Sequence, residues 1–396
     1  MALTLELYDE RSYSWSDKTD KCIRLRHSIS SRELESIEFE LIGEDVSVGQ
    51  KIRVKRDNNI IFEGIVYERS RKQRGGLLSV KATAYSYLIL YDRQIIYRIY
   101  QTGVKAGEII RDLGKLIDDE FPVNLNGVED GDSLLSPWKI ENCSALEIMK
   151  SVARGTNYWL RTKPCLSYLS FPGEGEYVIV DDSPSLKPSN VSICLWIRVW
   201  TTDNLEVNTH PVFKYRYGYP SYGLRMGWGK APIHMWIYDG SSSYYTSTIA
   251  LVDHNWHFIC GTYNSETGEL KTDRDAGQEI KTATAPTGLV LDNPRALYIY
   301  DVTIGTGRAY DVAQVLIYKD KVLNSSEIQH NYLNPMNPIT DGLVLWLNFH
   351  NVQDNIVPDL SGHGNDGTIY GASQGYEVYP QYANSMLLEF KPKVIA

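Results

Sequence analysis

"DGLVLWLNFHNVQDNIVPDLSGHGNDGTIYGA" (Asp341–Ala372) reads like the opening of a domain. Leu343–Phe349 is an apolar strand, a polar stretch follows, and "DLSGHGNDG" predicts a tight turn into a second short strand. Only Ser373–Ala396 come after it, whereas a further domain needs about 100–200 residues. The expectation is that this segment completes something the preceding residues have begun.

What they have begun is a β structure. From Leu166 to about Tyr318 strand candidates follow closely: Tyr177–Val180, Ser192–Val199, Tyr222–Gly227, Ile233–Tyr238, Trp256–Tyr263, Ala296–Ile304 and Ala313–Tyr318. A short helix, Asn324–Tyr332, has Asn324 and Glu327 in the positions of a capping box. Strands at this density predict a two-sheet sandwich. The first 95 residues alternate with period two in Ser36–Gly43, Lys51–Asp57, Ile60–Ser70 and Leu77–Ser86, which predicts a small β-barrel or sandwich. Two helices follow. In the first, Ile109, Ile110, Leu113, Leu116 and Ile117 share a face; in the second, Ser144 and Glu147 form a capping box and Gly155 stands where a C-cap glycine belongs. The expected organisation is barrel at 1–100, helical subdomain at 101–165, sandwich at 166–372 and a tail or closing strand at 373–396.

Composition narrows the function. The 28 Tyr and 9 Trp against 8 Phe favour half-buried sheet faces and contact surfaces. The net charge of −9 falls almost wholly after residue 170 and disfavours nucleic acid as a partner there. Cys22, Cys143, Cys165, Cys194 and Cys260 are scattered without a CxxC pair and read as buried thiols. No apolar run reaches the roughly 20 residues of a membrane span, and "MALTLELYDERSYSWSDK" goes straight into a charged strand, so folding in a cytoplasm without a signal peptide is expected.

Two stretches carry resemblances. "VSVGQKIRVKRDNNIIFEGIVYERSR" (Val46–Arg71), "SYLILYDRQIIYRIYQTGVKAGEIIRDL" (Ser86–Leu113) and "NCSALEIMKSVARGTNYWLRT" (Asn142–Thr162) resemble, in order and spacing, the hub proteins of tailed-virus tails and contractile injection machines. "YLSFPGEGEYVIVDDSPSLKPSNVSICLWIRV" (Tyr168–Val199), "LVDHNWHFICGTYNSETGEL" (Leu251–Leu270) and "IGTGRAYDVAQVLIYKDKVLNSSEIQHNY" (Ile304–Tyr332) resemble the laminin G-like (concanavalin A-like) jelly rolls. One departure is "LKTDRDAGQEI" (Leu270–Ile280) where that family has "LYVDG", which puts the local hairpin in doubt. In the jelly-roll family a segment like Asp341–Ala372 precedes the first strand. The expectation here is one circularly permuted sandwich that this segment closes.

Chemistry is sparse. Glu33, Glu35 and Glu38 look superficially like a glycosidase acid pair but precede an exposed strand of the first domain. His254 and His257 flank Trp256 and read as packed or hydrogen-bonded. Asp359, Ser361, Asn365 and Asp366 offer oxygen donors for Ca²⁺, with Asp359 and Asp366 the candidate ligands and Asp181 and Asp182 a weaker pair; otherwise no cofactor is expected. Tyr215, Tyr217, Tyr219, Tyr222, Trp228, Tyr238, Tyr244 and Tyr245 are interleaved with Gly, Ser and Pro. Exposed rings of this kind stack on sugars, and Asp239 and Arg225 stand near to bond hydroxyls; the bland reading is an aromatic sheet or protein interface.

The resemblances imply a non-enzymatic virion tail or baseplate hub protein, assembled in the host cytoplasm as a homo-oligomer, most simply a trimer. Its partners would be tube, tape-measure and baseplate proteins and a host-surface glycan, with no nucleic acid. A stand-alone lectin-like protein and a glycan-cleaving tail enzyme are the other readings.

Overall fold

Two packed units divide the chain in this computed structural model: residues 1–166 with 377–396, and residues 167–376. The structure describes residues 2–9, 14–29, 34–74, 76–117, 122–173, 175–200, 204–205, 209–215, 217–227, 229–302, 309–350, 352–378, 380 and 382–392.

In the first unit, seven antiparallel strands run in the order Ser14–Asp17, Leu3–Asp9, Lys51–Arg56, Asn59–Arg74, Leu77–Ser86, Ser36–Ile42, Cys22–Ser28. Alternate residues such as Ile37, Phe39, Leu41, Ile52, Val54, Val80 and Ala84 enter one core, as period-two patterning requires. Asp57 and Asn58 take positive φ values of 49° and 70° in the turn between two of these strands, which Asp and Asn tolerate best after glycine. A cleft of about 190 Å³, lined by Leu3, Leu5, Thr19 and Cys22–Leu25, separates strand Leu3–Asp9 from strand Cys22–Ser28. The latter pairs only with Ser36–Ile42 among the described residues, so its other edge is open.

Helix Ala106–Gly114 buries Ile109, Ile110 and Leu113 completely. A 3₁₀ turn, Lys115–Ile117, then buries Ile117 and leaves Leu116 half-buried. Helix Ala145–Thr156 starts at the predicted capping box: Glu147 N donates to Ser144 Oγ at 3.2 Å and Ser144 N to Glu147 Oε2 at 3.4 Å. Its end corrects the sequence reading. Gly155 lies inside the helix, and Asn157, at φ 57° and ψ 40°, takes the left-handed cap, a conformation that Asn also adopts.

Strand Tyr158–Phe171 pairs through Tyr158–Cys165 with Ser385–Pro392, locked by Glu389 accepting from Arg161 Nε at 2.6 Å and Lys163 Nζ at 2.9 Å. The C-terminal residues thus finish the first unit.

The second unit is a β-sandwich. One sheet orders Glu279–Thr284, Glu269–Arg274, Trp256–Tyr263, Val191–Val199 and Tyr310–Lys319, and both Leu343–Asn348 and Leu169–Phe171 pair with the last of these. The other orders Ser243–Tyr245, Pro232–Asp239, Pro220–Met226, Thr209–Lys214, Leu297–Ile299, Tyr177–Val180, Gly367–Tyr370 and Ile356–Val357. Inward residues of both sheets form one core, with Ile193, Ile259, Val315 and Leu345 from the first and Val178, Leu224, Met235 and Ile369 from the second. On the first sheet's other face, Tyr332 of helix Ser325–Leu333 stacks on Trp196 at 5.4 Å. Segment Asp341–Ala372 therefore closes this one sandwich, adding Leu343–Asn348 to the first sheet and Ile356–Val357 and Gly367–Tyr370 to the second.

Two expectations change. The doubtful hairpin forms: Asp275, Ala276 and Gly277 take positive φ, and Asp273 Oδ1 accepts from Gly277 N at 2.7 Å. The cysteines are not all thiols. Cys194 and Cys260 stand opposite each other on adjacent strands, Cα atoms 4.1 Å apart, and are joined as a disulfide. They are 66 residues apart in sequence, so only the strand register brings them together.

Candidate functional site

The aromatic run divides between two faces of the second sheet. Strand Pro232–Asp239 points Ile233, Met235 and Ile237 into the core and His234, Trp236 and Tyr238 outward. On neighbouring strands Phe213, Arg225 and Tyr245 share that outward face, since Arg225 pairs with His234 and Tyr245 with Trp236. Phe213, Tyr215, Trp236 and Tyr238 form one aromatic cluster, with centroids 5.1 Å apart for Phe213–Trp236 and 5.5 Å for Tyr215–Tyr238. Gly223 makes room for it, because a Cβ there would lie 2.8 Å from the Phe213 ring.

At one end of this face two turns meet. Gly218 and Gly240, at φ 81° and 102°, approach so closely that a Cβ on Gly240 would lie 3.4 Å from the Gly218 carbonyl. The contact sets Tyr217, which is 81% exposed, and Tyr219, 40% exposed, beside the Asp239 turn. Asp239 is largely occupied by that turn: its Oδ1 accepts from Ser241 N, Ser241 Oγ and Ser242 N, and its Oδ2 from Tyr244 Oη at 3.1 Å. The Ser242 and Ser241 amides hold its pKa down at about 2, so the carboxylate stays charged. Tyr244 is half-buried against the core, while Tyr245 is 55% exposed and its ring lies 5.3 Å from His234.

Tyr222 leaves the candidate surface. Its position on strand Pro220–Met226 points it inward, where it is fully buried and donates to Leu186 O at 2.9 Å. Trp228 lies outside the described residues. Trp236, His234 and Phe213 were missed by a reading that sought rings among loop residues; "PIHMWIYD" carries the signal, as an apolar strand whose alternate residues are aromatic.

The Asp359 turn is built from its own amides. Asp359 Oδ1 accepts from Trp346 N and Ser361 N, Oδ2 accepts from Ser361 Oγ and Asn365 N, and Asp366 Oδ1 accepts from Asp359 N at 2.8 Å. Asn365 joins the turn to Val344 O and Ser185 Oγ. Asp182 is bound by Lys214 Nζ at 2.6 Å and Lys187 Nζ at 3.1 Å. Burial would raise its pKa, but these ammonium bonds outweigh that and lower it. Among the described residues no group of three or more His, Cys, Asp or Glu could hold a metal, and no helix is long and apolar enough to cross a membrane.

His257 sits between Asp275 Oδ2 at 2.7 Å and Asp253 Oδ1 at 2.8 Å, and His254 Nδ1 is 3.2 Å from Val199 O. Glu35 pairs with His27 at 2.6 Å, Glu38 lines an open groove with Arg24 and Lys81, and Glu33 lies outside the described residues.

The profile of the concanavalin A-like lectin/glucanases superfamily matches residues 172–329, and that of the YQBQ-like family matches residues 25–161. No curated protein matches the chain. Among solved structures, a protein from Bacteroides ovatus described as carbohydrate binding is 13% identical with a TM-score of 0.45, covering 89% of this chain and 95% of its own. A heptameric SAP-like pentraxin from Limulus polyphemus is 11% identical with a TM-score of 0.35, covering 54% of this chain and 94% of its own. The 43 kDa tail protein of prophage MuSo2 from Shewanella oneidensis is 12% identical with a TM-score of 0.33, covering 41% and 52%. The second unit has a concanavalin A-like, lectin-type β-sandwich fold.

Proposed function

We propose that the protein is a non-enzymatic component of a virus tail or baseplate whose sandwich binds host-surface glycans. The observation that carries the glycan reading is the pair of exposed rings, Tyr217 and Tyr219, fixed beside the charged Asp239 turn by the Gly218–Gly240 contact. Their apolar faces suit the C–H face of a sugar, and the neighbouring turn offers hydroxyls and a carboxylate. Single contacts of this sort have small net free energy, so attachment would come from several copies on one particle.

The tail role is supported by the resemblance of the first unit to hub proteins and by its open strand edge. Among the described residues strand Cys22–Ser28 presents an unpaired edge beside the cleft, with Ile23 and Leu3 exposed next to it. Such an edge invites a neighbouring copy, and a closed ring would cover every edge at once. A homotrimer in contact with tube, tape-measure and baseplate proteins is the proposed assembly, located in the virion. A stand-alone lectin-like protein is the second reading, favoured if the chain binds glycans as a monomer.

The test combines native mass spectrometry of the full chain with antibody labelling of purified particles. A trimer and label at the tail tip are expected. A monomer absent from particles would overturn the tail role and leave the lectin.

A further inference from the structure

Arg225 stands directly across from His234 on the outward face of the second sheet. Its Nε is buried and has no hydrogen-bond partner among the described residues, and neither do His234 Nδ1 and Trp236 Nε1. His234 and Trp236 are only 5% and 3% exposed. Among the described residues no carboxylate answers the guanidinium: burial lowers its pKa, and the group acting the other way is the Tyr245 hydroxyl. Burial, with Arg225 adding to it, also brings His234 down to about 4, so the ring is neutral at physiological pH.

A half-buried guanidinium with no counter-charge among the described residues is costly unless something reaching its accessible side answers it. Ordinary proteins pair such an arginine with Asp or Glu. The neighbour here is instead a half-exposed aromatic ring, Tyr245, packed against His234.

We infer that Arg225 and Tyr245, backed by the buried His234 and Trp236, form a subsite for an acidic saccharide, with its carboxylate, sulfate or phosphate group on Arg225 and its sugar ring on Tyr245. Arginine presents a fork of N–H donors that matches such oxyanions. This rests on the glycan-binding reading above and deepens it by naming the charge of the ligand. Tyr217 and Tyr219 lie by the Gly218–Gly240 turns and contribute contacts that do not depend on charge.

The test is titration calorimetry of the full chain with polygalacturonate and dextran sulfate, against uncharged dextran. A charge-assisted bond predicts about tenfold tighter binding of the acidic polymers per site at low salt, with the advantage shrinking as salt rises. Arg225→Met should abolish the advantage and keep the melting temperature close to that of the wild type, because the half-buried guanidinium has no partner to lose among the described residues. Arg225→Lys should retain part of it, and Tyr245→Ala should weaken acidic polymers. An unfolded Arg225→Met variant would show that Arg225 has a structural partner and would overturn the proposal. So would an undiminished preference in that variant, or phosphatidylserine vesicles binding through Arg225 as tightly as dextran sulfate. Binding of dextran without any preference for acid overturns this inference alone, whereas absence of binding to every polymer overturns the parent reading with it.

Discussion

Leu345 lies directly across from Ile317, both fully buried, so a residue from the late Asp341–Ala372 segment occupies the centre of the sandwich core. Its neighbours Leu343 and Leu347 pair with Tyr318 and Val315. Leu345→Ala should therefore destabilise the second unit by about 2–5 kcal/mol, the usual cost of emptying a buried leucine site. Urea unfolding followed by tryptophan fluorescence would measure it. A loss below that of a surface substitution would remove the segment from the core.

Helix Ala106–Gly114 gives a parallel test in the first unit. Leu113 is fully buried, and Leu113→Asp would place a carboxylate there without a partner, at a cost of several kcal/mol. A thermal melt resembling the wild type would show that the helix face is misassigned.

The rings sort by burial. Tyr222→Ala should cost about 3–5 kcal/mol, because Tyr222 is a fully buried core side chain. Tyr217→Ala and Tyr219→Ala should leave the melting temperature within a degree or so, as exposed substitutions do, while reducing glycan binding or particle adsorption. The opposite ordering of stabilities would contradict the sheet register.

His257 should make stability depend on pH. Burial lowers its pKa, but the hydrogen bonds it donates to Asp275 and Asp253 outweigh this and raise it above the usual 6.5. Because the folded value exceeds the unfolded one, the contribution is complete below about pH 6.5 and is lost as pH rises through the folded value. Asp253 acts at the other end. Burial raises its pKa, the bonds from His257 and Asn255 outweigh that, and it falls to about 2, so its contribution is present above about pH 4 and lost toward pH 2. His257→Gln should flatten the wild-type decline in melting temperature above neutral pH. An unchanged profile would assign that decline elsewhere.

Calcium can be tested at the Asp359 turn. Because that turn's own amides and hydroxyl already bond both Asp359 oxygens, EDTA and millimolar Ca²⁺ should give the same melting temperature, and Asp359→Ala should destabilise under both conditions. A melting temperature that rises with Ca²⁺ and falls back on Asp366→Asn would place the ion there.

The sandwich was legible because its apolar strand candidates follow one another closely from Leu166 to Tyr318 and again within Asp341–Ala372. The site was legible only in part. Tyr217, Tyr219 and Tyr245 were found as rings in polar surroundings, but Tyr222 looks identical in sequence and differs only by parity along its strand. His234 and Trp236 hid inside an apolar run that reads as wholly core, since an aromatic outward face leaves no polar alternation. Pairings between distant strands were invisible for the same reason: nothing local records that Cys194 faces Cys260, or that Arg161 meets Glu389.

That last pairing sets an order of events during synthesis. Strand Tyr158–Cys165 emerges from the ribosome more than 200 residues before its partner Ser385–Pro392. Everything between Ser167 and Tyr376, which holds its own core, can fold meanwhile. The sandwich then acts as a loop closure, bringing the late strand back to its mate at an entropic cost that an unfolded tether of that length would make larger. The first unit is thus finished after the sandwich, and a nascent chain keeps Tyr158–Cys165 unpaired until Ser385–Pro392 has been made.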